Sequence, residues 1–313
     1  MTQSQKGMLA GFSGNFIFGL SFLFSTRAFS IAAEVFAGED TMPGADVPAM
    51  LAVRFLFAFL LMTLMLPLLK IKLDFRGKPV WKLVLLGFFQ PVIYFIGESF
   101  GLKQTGIVVS SVMIALVPVV CQLFSALLLR EAPNVLQVIF CVLSIVGVII
   151  VTAQGGDSGQ TYLMGLVFLT IAVLSAVAFN LLSRSISTVF TPFERTYFMF
   201  IDAAIFFGLY ALITTHFDAS LILRPLVYPD YVLSILYLGG LSSVFAYLMV
   251  NYANTYLPLT RSTVFSGVIT VVSTTAGFLV GEPCTVLGVF ACLMILVGIY
   301  GVQWAANKGT KRN

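Results

Sequence analysis

The chain has little charge for its length. Only 10% of its 313 residues are Asp, Glu, Lys or Arg, whereas soluble domains carry about 25%. This is too little charge to cover a globule in water, so the composition excludes a soluble enzyme or binding domain. Apolar residues make up 59% of the chain and the mean hydropathy is +1.02, which excludes a disordered chain. The composition therefore indicates an integral membrane protein.

Residues that build common catalytic and metal sites are also scarce. The single histidine, His216, cannot form a histidine-based triad or a multi-histidine metal site. The four cysteines lie within apolar runs without a CxxC pair, so we interpret them as small buried apolar residues. The sequence contains no GxxxxGK(S/T) phosphate-binding loop. We expect no cofactor, no metal and no direct use of ATP.

The apolar residues fall into ten long runs. A membrane-spanning helix needs about 20 mostly apolar residues, and the runs lack the period-two alternation of barrel strands. The predicted fold class is an all-α integral membrane protein with ten transmembrane helices. Their predicted positions are residues 8–31, 48–69, 81–101, 106–129, 134–153, 161–183, 193–215, 231–256, 260–280 and 284–305.

The basic residues are distributed unevenly between the connecting segments. Most Lys and Arg residues precede the first predicted span or follow the even-numbered spans, whereas the connection after span one carries four acidic residues and no basic residue. Since basic residues accumulate on the cytoplasmic side, we predict cytoplasmic termini in a multi-pass protein of the bacterial inner (plasma) membrane. The net charge of +4 is thus a topology signal, and no nucleic-acid partner is expected.

The two halves of the chain share a pattern. Glu131 and Glu282 each end an apolar run, and Gly147 and Gly298 follow at the same separation. Five spans per half is an odd number, so the halves would insert with opposite orientation, as in many secondary transporters. Capping is our interpretation of the two glutamates, with gating contacts as the alternative. We predict two five-helix repeats of inverted topology, at residues 1–154 and 155–313.

Polar side chains recur at helical spacing on two predicted spans. Gln90, Tyr94 and Glu98 are four residues apart and share one face of span three. A face of the same spacing begins at Ser243, 153 residues later. Such residues often mark a transport pathway, although they also hydrogen-bond neighbouring helices in any bundle. The predicted substrate-binding residues on a central cavity are Asn15, Gln90, Tyr94, Asn180, Tyr247, Asn251 and Ser266.

Charged residues within the spans allow more than one interpretation. Asp202 lies near the middle of span seven, where it could couple transport to a proton, face a substrate amine or serve as a structural hydrogen-bonding group. Glu98 lies on the same side of the membrane as Arg27, Arg54 and Lys103, which allows either a structural ion pair or an outer gate. We predict Asp202, Glu98 and Arg54 as coupling or gating residues.

Several features resemble the EamA type of the drug/metabolite transporter superfamily. The similarity rests on a Glu near the end of span four or nine followed by a Gly-bearing helix, on LAVRFLFAFLL at 51–61 and on AFNLLSRSI at 178–186. FGLSF at 18–22 lies where that family usually has Trp-Gly-Ser/Asn-x-Phe, with Phe18 in place of the Trp. The resemblance implies a ten-helix carrier of small organic molecules that works by alternating access.

The sequence therefore predicts a secondary transporter, with export as the predicted direction. The expected partners are the lipid bilayer, a small organic substrate such as an amino-acid-like solute, and a proton as the candidate coupling ion; the oligomeric state is left open. The alternative is a lipid-carrier flippase or an accessory membrane subunit. A membrane-embedded enzyme is not expected, because it would need a nucleophile and a base at one depth and only Asp202 or Glu98 could serve.

Overall fold

The computed structural model describes residues 2–121, 124, 135–154, 160–257, 262, 265–282 and 285–309. Within these ranges the regular structure is entirely helical, and no strand occurs. Glu131 and the end of the fourth predicted span lie outside the described residues.

The long helices follow the predicted apolar runs closely. Seven are long and apolar enough to cross a membrane, and two shorter apolar helices follow them. This arrangement makes the chain a multi-pass membrane protein. The helices are α1 (Gln3–Phe36), α2 (Asp46–Leu68), α3 (Trp81–Ile114), α4 (Val135–Gln154), α5 (Gln160–Ser185), α6 (Pro192–Thr214), α7 (Pro229–Tyr256), α8 (Ser266–Leu279) and α9 (Val286–Gly309).

The third and fourth predicted spans meet within α3. The helix is interrupted at Gly106, whose φ of 81° and ψ of 177° are not helical. Glycine adopts this positive φ at little cost because it has no Cβ. The sequence predicted a break between residues 101 and 106, and a further helical stretch follows at 117–121. Because the described residues omit 125–134, the count of ten spans stays a prediction.

Two helices contain a distorted segment at related positions. Phe88–Ile93 in α3 and Leu236–Phe245 in α7 are π-helical, and the two segments overlap under the 153-residue offset found in the sequence. Gln90 is non-helical, with φ of −143° and ψ of 117°. Since Pro91 disfavours the helical conformation of the residue before it and donates no hydrogen bond, the sequence accounts for this distortion.

The glycines that repeat between the halves lie at one helix–helix contact. Gly147 of α4 packs against Ile295, and a Cβ at that glycine would lie 2.7 Å from the Ile295 side chain. A Cβ at Gly298 of α9 would lie 2.1 Å from the Ser144 hydroxyl. Close approach of two membrane helices requires small residues of this kind, so both glycines hold the α4–α9 pair together.

Contacts between distant helices define two ends of the bundle. At the N-terminal end, Tyr252 near the end of α7 donates a 2.7 Å hydrogen bond to Gln3 at the start of α1. At the distal end, Arg27 in the second half of α1 forms an ion pair with Asp230 at the start of α7. The start of α1 therefore lies beside the end of α7, and the two ends can be compared residue by residue.

Candidate functional site

A central cavity lies between helices of both halves of the chain. Its wall includes residues of α1, α3, α5, α7 and α8, and it contains about 810 Å³ of empty space including its open part. Small-molecule sites are concave and combine apolar and aromatic side chains with a few polar groups, and this wall contains both kinds of residue. The polar and ionisable residues on the wall are Asn15, Ser21, Gln90, Tyr94, Glu98, Asn180, Tyr247, Asn254, Ser262 and Ser266.

One hydrogen bond crosses the cavity wall between the two predicted faces. The Gln90 side-chain amide donates to the Tyr247 hydroxyl at 2.7 Å, and both side chains are buried. Gln90 is itself the non-helical residue of α3, and Tyr247 lies two residues after the end of the π-helical segment of α7. The structure thus brings together two residues that the sequence placed on related faces, one from each half.

A group of amides lies on the wall nearer the N-terminal end. Asn15 and Asn180 each donate to a backbone carbonyl one turn back, to Gly11 at 2.6 Å and to Ala176 at 2.8 Å. The Asn180 amide oxygen accepts a 3.3 Å hydrogen bond from Asn254, which in turn accepts one from the Ser262 hydroxyl. This cluster offers uncharged donors and acceptors to a bound solute.

Aromatic side chains line much of the remaining wall. The Tyr247 ring packs edge-on against Phe18 at 5.0 Å and Phe179 at 6.3 Å between ring centroids. Tyr94 packs edge-on against Phe95 at 5.0 Å. The cavity is therefore a mixed site, in which rigid aromatic rings alternate with a few polar groups. The aromatic wall residues are Phe18, Phe22, Tyr94, Phe95, Phe179 and Tyr247.

Glu98 lies on the wall and is 3% exposed. None of the three basic residues expected near Glu98 forms an ion pair with it. Arg27 pairs with Asp230, Lys103 pairs with Asp46, and Arg54 bonds two serines. The structure therefore does not form the ion pair with a neighbouring base that the sequence suggested.

Arg54 lies behind the wall rather than on it. Its guanidinium donates to the Ser243 hydroxyl at 3.1 Å and to the Ser242 hydroxyl at 3.3 Å. It also lies over the Phe95 ring, 4.4 Å from the ring centroid. These contacts join α2 to α7 and place the positive charge behind an aromatic wall residue.

Asn251 shares a helix with Tyr247 but lies off the described wall. It is fully buried, donates to Thr196 at 2.9 Å and accepts from Ser183 at 2.9 Å. Its backbone carbonyl accepts a 2.8 Å hydrogen bond from Arg195. Asn251 thus belongs to a network of α5, α6 and α7 at the N-terminal end, and its predicted binding role stays a prediction.

Asp202 also lies off the described wall, in the middle of α6. It faces Gly87 of α3, where an added Cβ would lie 2.1 Å from the carboxylate oxygen Oδ2. That oxygen is buried and has no hydrogen-bond partner among the described residues. Gly87 is three residues before Gln90, so Asp202 lies against the segment that presents Gln90 to the cavity.

The cavity lies toward the N-terminal end of the bundle. Its wall on α1 runs from Gly11 to Phe22, in the half of the helix nearer Gln3 or at its middle, and its wall on α7 runs from Tyr247 to Asn254. At the distal end, a helix cap joins the two halves. The Glu282 carboxylate accepts hydrogen bonds from the backbone N–H groups of Ile107 at 2.6 Å and Val108 at 2.8 Å.

Glu282 is therefore a capping residue, as the sequence suggested, but it caps a helix in the other half of the chain. The free N–H groups after the break at Gly106 form a positive helix end, which a carboxylate satisfies. Gly277 leaves space for the carboxylate, since a Cβ there would lie 3.2 Å from Oε2. Glu131, the matching residue of the first half, lies outside the described residues.

The sequence did not identify several wall residues. Phe22, Phe95, Phe179 and Asn254 lack a spacing that separates them from other residues of the same type, since the chain has 30 phenylalanines. The available signal was the helical position of Phe95 and Asn254, which adjoin the faces of Tyr94 and Tyr247. Asn15, Asn180 and Ser266 lie on the wall, and their predicted role in substrate binding stays a prediction.

The fold and the cavity define a class of protein, a multi-pass helical membrane protein with an internal polar and aromatic cavity. The chain belongs to the EamA-like transporter family, whose model matches residues 5–153 and 163–304 in tandem. The family resemblance seen in the sequence is thereby confirmed. Family and relatives are transporters, consistent with the expectation that the chain is not an enzyme.

Two relatives are named as transporters. The chain is 30% identical over 315 aligned residues to "Uncharacterized transporter YcxC" of Bacillus subtilis, covering 99% of this chain and 96% of the relative. It is 26% identical over 236 residues to "Uncharacterized transporter" of Archaeoglobus fulgidus, covering 72% and 78%. A crystal structure of a protein matches with a TM-score of 0.63 at 17% identity over 97% of this chain and 98% of the other, which shows the fold alone.

Proposed function

We propose that this protein is a secondary transporter that moves a small organic molecule through the central cavity by alternating access. The proposal includes ten spans in two inverted repeats, cytoplasmic termini in a bacterial inner membrane, and export of an amino-acid-like or similar solute. The observation that carries it is a cavity with polar and aromatic walls supplied by both halves, joined across the middle by Gln90 and Tyr247.

The arrangement of the two ends supports alternating access. The cavity extends toward the N-terminal end, whereas Glu282 and the Arg27–Asp230 pair join the halves at the distal end. Transport by this mechanism requires a second state in which the distal contacts are broken and the N-terminal end is closed. The distal contacts can break and form again during transport, because each hydrogen bond between a helix end and a single side chain contributes only about 1–3 kcal/mol.

We place the coupling group of this mechanism at Asp202. A buried carboxylate without a partner carries its charge at a high cost, which a bound proton removes, and this one lies against Gly87 on the segment that leads to Gln90. Protonation of Asp202 would thus act on α3 from the side of the helix that does not face the cavity. Asp202→Asn should insert and fold normally but lose the dependence of transport on a proton gradient. Unchanged proton dependence would remove Asp202 from the mechanism.

The direct test is transport by the purified protein. Metabolite profiles of cells with and without the protein would identify solutes whose distribution changes, and each would then be assayed in proteoliposomes. We expect uptake or exchange that disappears on lysis of the vesicles and falls at least tenfold in Tyr247→Ala. A matched control is Tyr228→Ala, an exposed tyrosine just before α7. Intact vesicles that move no solute altered in the cells would contradict the proposal.

A further inference from the structure

Glu98 is the charged residue of the described cavity wall. The other polar side chains there are amides and hydroxyls, and no lysine, arginine or histidine contributes to the part of the wall that the structure describes. The cavity therefore presents one negative group to a solute and no positive side chain. This composition favours a cation over an anion.

The Glu98 carboxylate has few partners of its own. Its Oε2 accepts a 3.4 Å hydrogen bond from the adjacent Ser99 hydroxyl, and its Oε1 accepts none from the described residues. A carboxylate that is only 3% exposed needs a cation, a proton or strong donors to offset the loss of water. A contact of 3.4 Å to one hydroxyl is too weak for this purpose.

Arg54 is the nearest candidate for a counter-charge, but it is held elsewhere. Its guanidinium bonds Ser242 and Ser243 and stacks on Phe95, and it forms neither an ion pair nor a hydrogen bond with Glu98. Its charge acts on Glu98 only at longer range. A solute in the cavity can therefore bind the Glu98 carboxylate directly.

The rings around Glu98 fit the rest of such a solute. Phe95 and Tyr94 lie on the same helix as Glu98, and Phe18, Phe179 and Tyr247 surround the middle of the cavity. Aromatic faces attract an ammonium ion within about 6 Å of the ring centroid and also bury an apolar body.

We propose that Glu98 and the aromatic wall form the recognition site for an organic ammonium ion with an apolar or aromatic body. The carboxylate binds the protonated amine, and the rings bind the hydrocarbon part. The asparagine cluster at the N-terminal end takes uncharged polar groups. This inference deepens the proposed transport function and rests on it for its biological meaning, but the binding step can be measured without transport.

The test compares three probes that share a phenyl ring and differ in charge: 2-phenylethylamine, 2-phenylethanol and 3-phenylpropanoate. Binding to the full chain in lipid nanodiscs is measured by calorimetry. We expect the cation to bind at least tenfold more tightly than the neutral alcohol and the anion to bind most weakly. Glu98→Gln should reduce the affinity for the cation at least tenfold and leave that for the alcohol within twofold.

Two further variants keep the test decisive. Glu98→Asp retains the charge and should retain the preference for the cation, which a merely structural role would not predict. Glu34→Gln removes the same charge from an exposed position on α1 and should change nothing. Failure of the cation to bind, or an unchanged preference in a folded Glu98→Gln protein, overturns the inference.

The outcomes also separate this inference from the proposed function. If the cation binds through Glu98 but no solute crosses the bilayer in proteoliposomes, the recognition site stands and the transport function fails. If a solute is transported but Glu98→Gln neither slows it nor alters the preference among the probes, transport stands and the ammonium site fails.

Discussion

The two ends of the bundle are held together by different kinds of contact. At the distal end, ion pairs and a capped helix join one half of the chain to the other: Arg27 to Asp230, Arg224 to Glu39, and Glu282 to the helix after Gly106. At the N-terminal end, the buried Arg195 bonds carbonyl and hydroxyl oxygens within the second half, and the halves also meet through Tyr252 and Gln3 and through Lys78 and Glu194.

The buried Arg195 network maintains one half of the chain, whereas the exposed distal pairs join the two halves. Arg195 is fully buried and satisfies acceptors on α5 and α7, so its removal would leave several buried oxygens unpaired. The distal pairs are partly or mainly exposed and can be broken at small cost. We therefore infer that the Arg195 hydrogen bonds stabilise the fold and that the distal pairs break during the conformational change.

The largest effect is expected from Arg195→Met. Loss of its charge-assisted hydrogen bonds should destabilise the protein by about 3 kcal/mol or more. The midpoint temperature for loss of monodisperse protein in detergent measures this effect. Arg27→Met, which removes an arginine that is 58% exposed at the side chain, is the control and should differ from wild type by less than about 1 kcal/mol. Equal midpoints for the two variants would contradict the assignment.

Glu282→Gln should open the distal end. The amide keeps one acceptor but loses the charge that faces two backbone N–H groups, a change of about 1.5–3 kcal/mol in a charge-assisted contact. A cysteine at wall position Ser21, in a protein otherwise free of cysteine, reports opening through a membrane-impermeant maleimide added at the distal side. We expect at least fivefold faster labelling in Glu282→Gln. The same rate in both proteins would show that Glu282 holds nothing closed.

The positive-φ glycines allow a matched comparison of the two ends. Gly106 at the distal end has φ of 81° and adjoins Glu282, whereas Gly77, in the loop near Glu194, has φ of 70° and no neighbour within 4 Å of an added Cβ. Alanine at either position adds about 1 kcal/mol or more of backbone strain. Only Gly106→Ala should also speed labelling at Ser21→Cys, because its Cβ would press on the Glu282 carboxylate. Faster labelling in Gly77→Ala would remove the distinction.

The smallest effect is expected from the exposed pair of Arg224 and Glu39. Both side chains are more than a third exposed, so the coupling energy in a double-mutant cycle with alanine should lie below about 1 kcal/mol. Thermal midpoints of the two single variants and the double variant measure it. A coupling above about 2 kcal/mol would show that this pair stabilises the fold rather than joins the halves loosely.

The sequence predicted the helices better than their rotations. The ends of α2 and α6 agree with the predicted spans within about two residues, because long apolar runs mark them directly. The faces of Gln90 and Tyr247 were also predicted, and the structure joins them by a hydrogen bond. Spacing along one helix is sufficient for that prediction, since residues four apart share a face.

The positions of Asp202 and Asn251 relative to the cavity could not be predicted in the same way. Each lies on an apolar helix whose rotation depends on its neighbours, and the structure turns Asp202 to Gly87 and Asn251 to Thr196. The cap by Glu282 depends on two segments that are 174 or more residues apart. Contacts of this kind follow from tertiary packing, which no local pattern in the sequence records.

The most direct measurement of alternating access is to lock the distal end shut during transport. Arg27→Cys and Asp230→Cys, in a protein otherwise free of cysteine, would be joined by a short reducible cross-linker after reconstitution into proteoliposomes. We expect that cross-linking abolishes transport of the identified solute, that reduction restores it, and that each single-cysteine protein treated with the same reagent keeps its activity. Undiminished transport by the fully cross-linked protein would show that the distal end does not open during transport.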